Sequence, residues 1–92
     1  MRWSLRLTMR FEKQLGKIER RQAALILGWL EKNIEGCDNP RSHGKSLTGD
    51  RKDVWRYRIG NYRVLCELVD EEATVLALEA GHRREVYRRF EA

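Results

Sequence analysis

The sequence predicts a small α+β fold: a helical hairpin packed on a mainly antiparallel four-stranded sheet. The order is β-α-α-β-β-β with an optional short C-terminal helix. Three observations predict it. The first residues alternate apolar and polar, the next two segments repeat at helical spacing, and the second half holds strand-like runs joined by short turns.

Each element has its own signal. Trp3-Ser4-Leu5-Arg6-Leu7-Thr8-Met9 has the two-residue period of a half-buried strand. Phe11, Leu15 and Ile18 recur at four- and three-residue steps with charge between them, which predicts an amphipathic helix. A second helix carries Ala23, Ile26, Leu27, Leu30 and Ile34 on one face and ends at Gly36, with the break between the helices near Arg20. Cys37 to Asp53 contains Pro40, Gly44 and Gly49 and little periodicity, and reads as a basic, exposed loop. Val54–Ile59, Tyr62–Val69 and Thr74–Ala80 read as strands, the first two joined by the tight turn Gly60-Asn61. Arg84–Phe90 is the optional helix or a tail.

Composition bounds the function. With 92 residues the chain is expected to form one domain, 1–92, with a small core. The longest apolar run, Ala23–Leu27, is too short to cross a bilayer, and Met1–Arg6 lacks an apolar signal region, so a cytoplasmic protein without membrane contact is expected. Cys37 and Cys66 form no CxxC pair and are expected to be free thiols, one in a loop and one in the core. No metal site and no cofactor is expected. The net charge is +5, and 14 of the 19 basic residues are arginine, the side chain suited to bidentate phosphate contacts.

The hairpin turn gives those arginines a register. A two-residue turn at Gly60-Asn61 sets Ile59 opposite Tyr62, Arg58 opposite Arg63, Tyr57 opposite Val64 and Arg56 opposite Leu65. One side of the ribbon then collects Trp55, Tyr57, Ile59, Tyr62, Val64, Cys66 and Leu68, the core face. The other side, expected to be partly open, carries Arg56, Arg58, Arg63, Leu65 and Glu67. Like charges directly opposite destabilise a sheet, so the Arg58–Arg63 pair either meets an anionic partner, or splays into solvent or pairs with Glu67, Asp53 and Glu85. From Arg41 to Arg63 there are seven basic and two acidic residues, among them Lys45, Arg51 and Lys52. Gly81-His82-Arg83-Arg84-Glu85-Val86-Tyr87 leaves the last strand near the same hairpin. Guanidinium groups that neutralise a phosphorane, beside a tyrosine and histidines able to stack or move protons, suit a phosphodiester site. No carboxylate cluster of the kind metal-dependent chemistry uses accompanies them.

At these residues the sequence resembles the RelE-type toxins of toxin–antitoxin pairs. The likeness is carried by Asp38-Asn39-Pro40-Arg41, Gly44-Lys45-Ser46-Leu47-Thr48-Gly49, Trp55-Arg56-Tyr57-Arg58-Ile59-Gly60-Asn61-Tyr62-Arg63-Val64 and Gly81–Tyr87. The resemblance implies a ribosome-dependent, metal-independent mRNA endoribonuclease that cuts the codon in the ribosomal A site. The 2′-hydroxyl attacks the adjacent phosphate, giving a 2′,3′-cyclic phosphate and a 5′-hydroxyl. The implied partners are a RelB-like antitoxin, the 70S ribosome with its mRNA, and operator DNA through the antitoxin complex. The family's basic positions fall on Arg56, Arg58 and Arg63, and its terminal arginine and tyrosine on Arg83 and Tyr87.

The best-known nuclease members carry lysines at the positions of Arg56 and Arg58. Arginine does not lose its proton, so the general base is left among Tyr87, His82, Glu85 and the ribosome, with His43 a weaker candidate. Lys13, Lys17, Arg20 and Arg21 form a second basic patch, which the resemblance implies touches ribosomal RNA; a solvated face is the plain alternative. ParE-like toxins, which inhibit DNA gyrase and cut no RNA, are the alternative on the same fold, and the arginine–tyrosine set favours the nuclease over them.

Overall fold

A computed structural model describes residues 2–47 and 54–84. β1 (Ser4–Leu7) leads into α1 (Met9–Lys17) and α2 (Arg20–Asn33). A one-turn 3₁₀ helix (Pro40–Ser42) follows, then β2 (Lys45–Ser46), β3 (Val54–Ile59), β4 (Tyr62–Val69) and β5 (Thr74–His82). The five strands form one sheet in the order β1-β5-β4-β3-β2. The helical hairpin carries the chain across the sheet, so β1 lies parallel to β5 while every other pair is antiparallel.

The helix boundaries have local causes. The Thr8 hydroxyl accepts from Phe11 N–H at 3.1 Å and donates to the Ala77 carbonyl at 2.8 Å, so one side chain caps α1 and fastens it to β5. Ile18 takes an extended conformation (φ −89°, ψ 147°), which ends α1. The Glu19 carboxylate then accepts from Gln22 N–H at 3.3 Å and starts α2. Gly36 lies in the left-handed region (φ 76°) and donates its N–H to the Trp3 carbonyl at 2.7 Å, turning the chain back to the sheet.

The core lies between helices and sheet, where Phe11, Ile26, Leu30 and Ile34 meet Tyr57, Val64, Cys66, Val75 and Ala77. Tyr57 is fully buried, and its hydroxyl donates to the Pro40 carbonyl at 2.7 Å. Burial also raises the Tyr57 and Cys66 acid groups well above their ordinary values, and Cys66 and Cys37 are both free thiols.

The expected fold class matches, with two differences. The sheet has a fifth strand inside the segment read as irregular: Lys45 and Ser46 pair with Arg56 and Trp55. Gly44 makes this pairing possible. It sits at φ 73°, and a Cβ there would run into the Arg56 carbonyl and the Trp55 and Tyr57 rings. Second, the face away from the helices is not simply open, because Leu65 is fully buried there with Val54 and Leu47 as a second small core. The helix expected over 84–90 lies outside the described residues beyond Arg84.

α1 also closes a gap in the sheet. β1 ends opposite Ala77, leaving the rest of β5 as an edge. Gln14 covers that edge: its side-chain carbonyl accepts from Ala80 N–H at 2.8 Å, and its amide donates to Glu79 at 3.2 Å. Arg10 adds a second donor to Glu79 at 3.1 Å. Unpaired strand edges invite aggregation, so this cover protects the sheet as well as positioning the end of β5.

Candidate nucleic-acid interface

The site is built on the β3–β4 hairpin. Its turn is two residues long, with Gly60 at φ 60° and no positive φ at Asn61, the pattern of a type II′ turn. Register follows: Arg58 pairs with Arg63, Arg56 with Leu65, Tyr57 with Val64 and Ile59 with Tyr62. The arrangement expected from sequence is the one observed.

Arg56, Arg58 and Arg63 therefore lie on the face away from the helices. Lys45 joins them, because β2 pairs it with Arg56. Gly44, Lys45, Arg56 and Arg58 line a cleft of about 210 Å³. Arg58 and Lys45 are exposed and Arg56 is half-buried. Gly44 is a member of this cleft that sequence reading missed; its place directly before Lys45 and its need for a positive φ were the available signals.

Arg63 differs from its neighbours. Only 3% of it is exposed, on a face expected to be partly open. One Nη donates to the Gly60 carbonyl at 3.2 Å and to the Tyr62 carbonyl at 3.0 Å, so the guanidinium is clamped to the turn. Its Nε is buried and has no hydrogen-bond partner among the described residues. Gly81 stands opposite Arg63 on β5 and contributes no side chain, leaving the guanidinium room. A buried donor without an acceptor costs about 1–3 kcal/mol.

The other expected residues divide between the two sides of the sheet. Arg83 follows β5 and is tied to the hairpin by its N–H, which donates to the Asn61 carbonyl at 3.0 Å; its side chain is exposed. Lys13, Lys17, Arg20 and Arg21 are exposed on the helical hairpin, behind the sheet from the cleft. Arg51, Lys52, Glu85 and Tyr87 lie outside the described residues.

His82 lies on the other side of the sheet. It pairs with Tyr62 and so points to the helix side, away from Arg58 and Arg63. Its ring meets Tyr62 edge-on, with centroids 5.9 Å apart, and its Nδ1 accepts from Arg84 N–H at 3.4 Å. The sheet stands between it and the cleft. His43 is likewise turned to the helix side, against Trp29 at 5.4 Å. Among the described residues no three His, Cys, Asp or Glu side chains converge, and no helix is long and apolar enough to cross a membrane.

Known proteins resemble this chain in sequence and in fold. The model of the ParE toxin family of type II toxin–antitoxin systems, parDE, matches residues 5–87. Toxin RelG from Mycobacterium tuberculosis is 29% identical over 89 residues, spanning 97% of this chain and 100% of that protein. Among solved structures, the toxin–antitoxin complex RelBE2 from Mycobacterium tuberculosis matches with a TM-score of 0.79 at 26% identity, over 90% of this chain and 93% of that one. A mutant of the E. coli toxin RelE in the free state matches with a TM-score of 0.70 at 18% identity, over 96% and 93% of the two chains. At that identity the likeness is one of fold. With the family model spanning nearly all of the sequence and RelE toxins among the solved structures of similar fold, the chain belongs to the RelE/ParE superfamily of toxins from type II toxin–antitoxin systems.

Proposed function

We propose that the protein is a ribosome-dependent, metal-independent mRNA endoribonuclease that cuts codons in the ribosomal A site and thereby inhibits translation. The observation that carries this reading is the cationic cleft of Lys45, Arg56 and Arg58, with Arg63 held on the same face of the hairpin. In the proposed reaction the 2′-hydroxyl of one nucleotide loses its proton and its oxygen attacks the adjacent phosphorus. The bond to the 5′-oxygen breaks, and that oxygen takes up a proton. Negative charge grows on the phosphorane oxygens, where Arg56, Arg58, Arg63 and Arg83 oppose it. Arginine holds its proton, so these residues act by charge and hydrogen bonding. Tyr87, Glu85 or a ribosomal group moves the protons, and Tyr87 also stacks on a base.

Arg51, Lys52, Lys13, Lys17, Arg20 and Arg21 extend the positive surface toward ribosomal RNA phosphates. A RelB-like antitoxin is the proposed protein partner, supported by the likeness to RelBE2, and operator DNA is contacted through that complex. The reading places the protein in the cytoplasm, where its ribosomal target is. A second reading, a gyrase inhibitor without RNA cleavage, has its support in the ParE description of the matching family. Adding the protein to translating ribosomes and mapping message 5′ ends separates the two. Cuts within the A-site codon support the nuclease; intact message with failed gyrase supercoiling supports the other reading.

A further inference from the structure

A second cavity lies on the opposite side of the sheet from the arginine cleft. It measures about 440 Å³ and sits between the end of α1, the helix break and the ends of β4 and β5. That volume lies within the range of about 300–1,000 Å³ typical of small-ligand sites. We propose that this cavity is a subsite for one nucleobase of single-stranded RNA, next to the phosphate held at the arginine face. The inference rests on the nuclease reading and deepens it by naming where the substrate's base is read.

Four features support it. Tyr62 and His82 stand at 77° to each other, forming an aromatic corner in which a base stacks on one ring and meets the edge of the other. Both rings are half-buried rather than sealed, and the Tyr62 hydroxyl makes no hydrogen bond among the described residues. Lys17 lies in the cavity wall, and Lys13, Arg20, Arg21 and Arg84 are exposed nearby in sequence. The acidic lining residue, Glu19, is engaged in capping α2 at Gln22 N–H.

Strand alternation links the two sites. Tyr62 and Arg63 are successive residues on opposite faces, as are His82 and Gly81, with Arg83 following. An RNA strand rounding this end of the sheet therefore presents a phosphate to the arginines and the neighbouring base to the aromatic corner.

The test uses an RNA trinucleotide whose attacking 2′-hydroxyl is replaced by hydrogen, titrated into the isotope-labelled protein while amide resonances are followed. Shifts at Ile18, Tyr62, Gly81 and His82 are expected, and removing one base to leave an abasic sugar should weaken binding about tenfold. Ile18→Trp, which fills the cavity from its wall, should produce a similar loss with the thermal transition retained. Equal affinity for the abasic RNA, or shifts confined to Lys45, Arg56 and Arg58, would overturn the proposal. So would cavity shifts produced by an acidic peptide and not by RNA. If the abasic RNA binds equally well while message is still cut on ribosomes, the subsite fails and the nuclease reading stands. If message also stays intact, both fail.

Discussion

At the scale of single residues, three positions fix the site's frame, and each gives a measurable consequence. Gly44 brings β2 against β3 at a positive φ with no room for a Cβ. Gly44→Ala is expected to cost about 2–3 kcal/mol in a denaturant titration, combining the left-handed penalty with overpacking. Tyr57 anchors the loop from inside the core through the Pro40 carbonyl. Tyr57→Phe leaves that carbonyl without its donor and should cost about 1–2 kcal/mol by the same measurement. Arg41 forks onto Asp70 with two bonds of 3.0 Å, and those bonds hold the Asp70 carboxyl below its ordinary value. Because the folded value is the lower one, the pair's contribution is complete above the unfolded carboxylate range. It is lost as pH falls through the folded value. Asp70→Asn should therefore melt earlier than the parent at neutral pH, with the difference closing in acid.

At the scale of elements, charge placement at α2 departs from what helix stability favours. Arg20 and Arg21 occupy its first turn, which contains no acidic residue, and cations are unfavourable at that end of the helix dipole. Replacing both with glutamate is expected to stabilise the fold by about 0.3–1 kcal/mol each while weakening ribosome association. Unchanged association would mean these arginines serve only as a solvated face. The elements also show what a sequence reveals. The hairpin register was legible because a two-residue turn leaves one pairing that buries Tyr57, Val64 and Cys66 together. β2 was not, because two polar residues, Lys45 and Ser46, carry no alternation of their own and become a strand only by pairing with β3. The shift in pairing between Leu65 and Cys66 was hidden too. It leaves Leu78 unpaired between Ala77 and Glu79, and no turn residue marks the place. The burial of Leu65 depends on Leu47 and Val54, contacts between segments that local pattern does not encode. The side of the sheet that His82 takes was not legible for a related reason: a basic run reads as one cluster, while a strand sends successive residues to opposite faces.

Across the whole molecule, the surplus of five positive charges is divided by the sheet. One face presents Lys45, Arg56 and Arg58 as a cleft, with Arg63 clamped beneath the turn; the other presents the helical hairpin with Lys13, Lys17, Arg20 and Arg21. A molecule with cations on both faces is suited to a site surrounded by RNA, where each face meets phosphates. The cleft is shallow, and the proposed division of labour leaves alignment of the substrate to the ribosome while the toxin supplies charge. Arg58 is exposed, so Arg58→Ala should leave the melting transition unchanged while lowering cleavage roughly 10²–10³-fold, the usual cost of removing one charge-stabilising donor. The central claim is tested most directly by mapping message 5′ ends on translating ribosomes with the parent protein and with Arg58→Ala. The expected result is codon-phased cuts in the A site from the parent, largely abolished in the variant; intact message with the parent, or equal cutting by both, would contradict it.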